Sequence, residues 1–404
     1  MPALRLMCFG SGAVRSSPFV RGKSIGLLLF ALVGVLGLVA SACSSSDNSR
    51  ARGAQPSSTA ATTTAAPTTA PPTTAAKPYN VYEFTQANQL APSVRDIPTR
   101  VYVPNGMSNT VDVIDPNTMA VIDQYPVGRL PQHVVPSWDM QTLYVNNNQG
   151  NTLTPIDPRT GKPGAPIPIA DPYNLYFSPD GTKAIVMAER DNSVDFYDPK
   201  TWALIKKLHI PHTGVNHAEF TPDGQTMVAS TEFSGFLVRI DLASMEITGE
   251  LDVGGKPVDV KLSPDGTVMF NANETKDGVT VVDWANMSEL QFIPTGKGAH
   301  GLYPSRDGKQ LYVTNRGAGS VSVIDFASRS IVGNWQFGGS PDMGGVSSDG
   351  RQLWLSGRYN SEVYVLDTTT GQLIKKIPVG NGPHGLALFP QPGRYSMGHT
   401  GNFR

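Results

Sequence analysis

The chain has 404 residues and almost balanced charge, 32 Lys+Arg against 33 Asp+Glu for a formal net of −1, which excludes binding to nucleic acid driven by bulk charge. Apolar residues make up 39% and charged residues 16%, both below the usual ~45–50% and ~25%, while 41 Gly and 33 Pro argue for short strands and tight turns rather than long helices. The 2 cysteines, Cys8 and Cys43, leave no disulfide framework, zinc knuckle or haem-attachment motif for the rest of the chain.

At the N-terminus, Arg5, Arg15, Arg21 and Lys23 precede an apolar run from Ile25 to Ala40, which closes in Ala40-Ser41-Ala42-Cys43. A basic head, an apolar stretch and small residues at its end make residues 1–42 a predicted signal peptide. The residues before Cys43 resemble the lipobox of bacterial lipoproteins. That resemblance implies diacylation of the Cys43 thiol and a protein held by lipid on the extracytoplasmic side of the bacterial cell membrane. Ordinary cleavage after Ala42, with Cys43 a bystander, is the alternative.

Residues 43–98 follow as a spacer. From Ser44 to Lys77 there is no Val, Ile, Leu, Phe, Met, Tyr or Trp, so the segment cannot bury enough apolar area to offset the entropy of ordering and is expected to be a disordered tether. Chain statistics give it a reach of roughly 30–35 Å. Its Thr/Pro/Ala composition is similar to that of O-glycosylated stalks, and a plain spacer fits equally well. Pro78 to Thr99 form a mixed lead-in.

From residue 99 to 404 the sequence repeats. An alternating apolar segment closes in Asp at positions 115, 157, 198, 241, 283, 325 and 367, in VDVID, LTPID, VDFYD, LVRID, VTVVD, VSVID and VYVLD. A second marker, SWDM, SPDG, TPDG, SPDG, SRDG and SSDG, puts a turn aspartate at 139, 180, 223, 265, 307 and 349. Asp-Gly between alternating segments is a hairpin signal, because the turn needs residues that tolerate positive φ. With a third strand before each closing segment and a fourth after it, every unit supplies four antiparallel strands, A to D, and seven such units predict an all-β, seven-bladed β-propeller. The chain enters in strand B of one blade and ends with a strand A over Gly385–Phe389, so its N- and C-terminal strands close the ring within one blade and remove its edges. Three of the B strands, VYVPN, LYVNN and LYVTN, resemble the YVTN family of β-propeller repeats over about residues 99–393. The resemblance speaks for the fold and says little about function.

Function is sought where the loops entering strand A and joining B to C surround one mouth of the central channel. Counting six or seven residues back from the turn aspartate gives His133, His217 and Asp259 at one register and His300 and Asp342 at the next, with Met343 beside Asp342. His384, in Pro-His-Gly, stands at the same loop of the last unit. Of 7 histidines in the chain, these four share one loop position. Imidazoles gathered there would suit a transition metal such as copper, zinc or iron, with Asp259, Asp342 and Met343 as further donors. Because two histidines sit one position away from the other two, strict strand alternation would send them to opposite faces.

In architecture the pattern is similar to the copper-holding propeller of nitrous oxide reductase and the haem d1 propeller of cytochrome cd1 nitrite reductase, without residue-level correspondence. Nine residues before each closing aspartate stands a second ring, in which Glu189, Glu232 and Glu274 are followed by Arg316 and Arg358. Around one mouth these would form a dipolar rim for a polar ligand or partner.

The leading expectation is a membrane-anchored binding or scaffold module, monomeric, with a small molecule or protein at the channel mouth and no nucleic acid. The first alternative is a metal-dependent redox or hydrolytic enzyme using the four histidines. The second follows from seven-bladed propellers resembling this one that are lactonases or lyases. No G-x-S-x-G and no HExxH occurs, so nucleophilic catalysis has little support.

Overall fold

The computed structural model describes residues 79–399 and 402–404; the signal peptide, Cys43 and the tether lie outside the described residues. The local chemistry of the two repeat markers sets the strand ends. Each closing aspartate accepts backbone N–H groups two or three residues on, as Asp241 does from Ser244 (2.7 Å) and Asp367 from Thr370 (2.8 Å), so strand C ends in a side-chain-capped turn into strand D. In the A–B turns the Ser or Thr hydroxyl donates to the aspartate two residues on, at 2.5 Å in Ser178–Asp180 and Thr221–Asp223.

Seven such units make a seven-bladed β-propeller of four-stranded antiparallel sheets. The inner strands are Pro131–Pro136, Pro172–Phe177, Val215–Phe220, Pro257–Leu262, Ala299–Pro304, Pro341–Val346 and, last in the chain, Ala387–Phe389. That final strand pairs with Arg100–Asn105 through Arg100↔Phe389, Val101↔Leu388 and Tyr102↔Ala387, so one blade is built from both ends of the chain. In the second blade the outer position is filled by two short pieces, Lys162–Pro163 and Ile167–Pro168. Pro163, Pro166 and Pro168 lack the N–H that a continuous strand would donate there.

Buried side chains gather into seven apolar clusters, one between each pair of neighbouring blades. Alternation explains this: Val101 and Val103 face one neighbour, and Tyr102 between them faces the other. The lead-in crosses the face carrying the A–B turns. Val81 N–H donates to Pro264 O (2.8 Å), the Tyr82 hydroxyl to Leu262 O (2.7 Å) and Asn88 N–H to Ser348 O (2.8 Å).

Candidate functional site

The inner strands do not keep their ladder to the top. In five blades the pairing between strands A and B slips at the strand entry, within Pro131/Val134, Val215/Ala218, Pro257/Val260, Ala299/Leu302 and Pro341/Gly344, and in a sixth at Met187/Ala188 opposite Tyr173. A bulge breaks the strict alternation of faces. Residues at both neighbouring positions therefore reach the same layer of the channel.

His133, His217, His300 and His384 come together there. The His133 ring lies 4.7 Å from His384 and 5.4 Å from His217, while His300 is 6.1 Å from His384 and 6.4 Å from His217. Tyr173 closes the layer at 5.4 Å from His133. All four imidazoles are buried. Burial, which penalises the charged ring, pushes His133 down to about 3 despite Asp342, and holds His217 and His384 well below the usual range. That direction keeps His133, His217 and His384 in the neutral form at physiological pH.

Their hydrogen bonding is incomplete. Nδ1 of His217 donates to Asn216 Oδ1 at 3.0 Å, which leaves the Nε2 lone pair without a partner. Asn216 is fixed in turn by Ser230 Oγ (2.9 Å) and Glu232 Oε2 (2.8 Å). Both nitrogens of His133 and Nδ1 of His384 also lack partners among the described residues. The close packing is enforced by the backbone, because a Cβ on Gly385 would fall 1.9 Å from His133 Nδ1.

Asp342 forms the other half of the site. Arg316 donates to its Oδ1 from Nη2 (2.6 Å) and Nε (3.1 Å), and His300 Nδ1 stands 2.9 Å from the same oxygen. Arg316 also reaches Glu274 at 3.2 Å and Nε2 of His300. Burial alone would raise the Asp342 carboxyl; Arg316, His300 and His384 outweigh it and hold the group well below its ordinary value.

The rim residues Glu189, Glu232, Glu274, Arg316 and Arg358 are half-buried around this mouth. Burial first, then Glu232 and Asp171, pushes Glu189 up to about 8, and burial raises Glu232 as well. Of the two other candidate donors, Met343 faces elsewhere and Asp259 borders the imidazole layer. Met343 sits in the apolar cluster between two blades with the Tyr303 hydroxyl 3.2 Å from its sulfur. Asp259 accepts backbone N–H groups of Val260 and Leu302, both at 2.9 Å, and its Oδ1 lies 3.9 Å from Lys261 Nζ and 3.7 Å from Nε2 of His399 in the C-terminal segment.

A fifth imidazole comes from the C-terminal segment, a place the repeat pattern gave no reason to examine. Residues 390–399 and 402–404 fold back across the A–B turn face and into the channel. Phe177 N–H donates to Met397 O (3.0 Å), Arg404 pairs with buried Glu219 (3.0 Å), and Asn402 meets buried Lys261. Gly398, at φ +94°, lets the chain pass so close to Leu175 that a Cβ would lie 2.4 Å from its carbonyl oxygen. His399 then stands 4.8 Å from His217 and 4.9 Å from His133, ring to ring. Asn174 Nδ2 lies 3.0 Å from its Nδ1. Burial lowers this ring well below the usual range too. Two trios result, His133–His217–His399 and His300–Asp342–His384, each with ligand atoms within 4.8 Å of one another. The remaining histidines are peripheral: His212 stacks on Phe236 at 3.9 Å and His209 is exposed.

Comparison with known proteins agrees with this architecture. A family model described as YNCE-like beta-propeller matches residues 81–392. Among solved structures, a functionally unknown protein from Desulfotomaculum acetoxidans is similar with a TM-score of 0.63 at 18% identity, over 72% of this chain and 98% of that one. Dihydro-heme d1 dehydrogenase NirN in complex with DHE is similar at 0.56 and 17%, over 79% and 83%, and Kuenenia stuttgartiensis hydrazine synthase at 0.55 and 20%, over 62% and 87%. At these identities the likeness concerns the fold. No curated protein matches.

Proposed function

Because the chain belongs to the YNCE-like β-propeller family, whose fold by itself assigns no chemistry, we propose from the site that it is a binding module for a transition-metal ion of the copper or zinc class, held in the channel by His133, His217 and His399. The observation that carries this reading is that His133 and His217, buried and neutral, hold nitrogens with no partner among the described residues, and face each other and the buried His399. A buried polar atom without a partner costs about 1–3 kcal/mol, and native proteins tolerate few of them. Neutral imidazole is the form that ligates metal, and copper and zinc favour it.

The geometry requires a small adjustment. Nitrogens on one ion at ~2.1 Å are at most ~4.2 Å apart, so the trio must contract from separations of up to 4.8 Å, and His399 exchanges its Asn174 contact for the ion. Asn216 acts as the outer partner that fixes the His217 tautomer. Arg316 already occupies both His300 and Asp342, which favours the all-imidazole trio over the second one.

The test is chelator-stripped full-length protein titrated with Cu(II) and Zn(II). Uptake of one ion per chain is expected, with affinity falling at least 100-fold in His133→Ala and His217→Ala and staying unchanged in His209→Ala. Absence of stoichiometric uptake, or equal affinity in all variants, overturns the reading. The anchoring of this module through Cys43 is likewise our proposal; Cys43→Ala should release the protein or leave an uncleaved precursor, and a variant that fractionates and is processed like wild type refutes it.

A further inference from the structure

The two arginines of the rim are used differently. Arg316 spends its guanidinium on Asp342, Glu274 and His300. Arg358, in the next blade, has one hydrogen bond from Nη1 to Gln132 Oε1 at 3.3 Å and one distant ion pair, Nε to Asp342 Oδ2 at 3.9 Å. Arg358 thus has no ion pair closer than 3.9 Å among the described residues, and its guanidinium is far less engaged than that of Arg316. Its partners border the imidazole layer, Gln132 preceding His133 in the chain and Asp342 Oδ2 lying 3.6 Å from His384 Nε2, and it is a quarter exposed, so it stands between the rings and the solvent.

We propose that Arg358 is the anion hook of the mouth: it captures a small monoanion, a carboxylate or nitrite-sized oxyanion, and delivers it to the metal held by the imidazoles below. This rests on the metal reading above. Three physical points support the ligand class. A guanidinium offers two parallel donors that match the two oxygens of a carboxylate or of nitrite. Three neutral imidazoles leave the full positive charge of a bound ion uncompensated, so the coordination position they do not fill attracts an anion. The acidic arc opposite, Glu189 and Glu232, is shifted toward its protonated form by burial, so it repels an incoming anion less than two ionised carboxylates would.

The experiment loads full-length protein with Cu(II) and follows its absorption and electron paramagnetic resonance spectra during titration with formate and, separately, nitrite. Saturable spectral change is expected in the wild type. Arg358→Gln should weaken the apparent affinity for the anion at least tenfold and Arg358→Lys by less, with copper affinity held within about threefold, because Arg358 is no metal ligand. Copper uptake with an anion response that is absent, or the same in Arg358→Gln, overturns the hook and leaves the metal reading standing. Failure to take up copper at all overturns the metal reading and the hook with it.

Discussion

At Gly385 a single hydrogen atom makes room for an imidazole. A methyl group there would occupy the space of His133 Nδ1, and overpacking of this kind costs about 1–3 kcal/mol. Gly385→Ala should lower the melting temperature by a few degrees and the copper affinity at least tenfold, both measurable on one preparation; unchanged affinity would show that His133 is not a ligand. Glu189 supplies a second test at this scale. Its carboxyl is raised from the ordinary 4.5 to about 8 by burial, then by Glu232 and Asp171. Between those values the folded chain keeps a proton that the unfolded chain has released, so stability falls as pH rises through that window. Glu189→Gln should therefore melt above the parent at pH 8 and coincide with it near pH 4. Parallel melting curves across that range would exclude a buried, proton-holding Glu189.

The C-terminal segment is the element on which site and stability meet. Met397 and Phe403 are each 1% exposed, and burying two such side chains stabilises by about 3–6 kcal/mol. Deleting residues 394–404 should lower the melting temperature by roughly 10 °C, given ~2–4 °C per kcal/mol in a large domain, and reduce copper affinity. His399→Ala alone should reduce the affinity and lower the melting temperature by much less than the deletion does. If both variants bind copper like the parent, the tail is only a plug. Element by element, the repeat made the blades legible, since Asp115 through Asp367 mark strand C and its turn in every unit. It did not reveal the bulges, because a one-residue slip leaves the spacing of the markers intact. Alternation alone therefore sets His133 and His300 on opposite faces, whereas the slipped ladder brings both to one layer. His399 was illegible for another reason: the tail lies outside the period, and a histidine between small residues has no register to align.

For the molecule as a whole, stability is distributed over seven equivalent interfaces, and the site belongs to none of them alone. Its donors come from the second blade, the fourth, the sixth, the seventh, the closing loop and the tail. The closing strand joins Ala387 to Tyr102 through three paired residues, and His384 and His399 lie before and after that strand in the chain. During synthesis a ribosome feeds the blades out in order, and six of them can pair internally while the rest is still being made. The seam, and with it the pocket of imidazoles, cannot form until residues 387–399 have left the exit tunnel. A chain broken off before those residues would present folded blades without the imidazole pocket, so on the metal reading proposed above it would have no site at which to hold an ion.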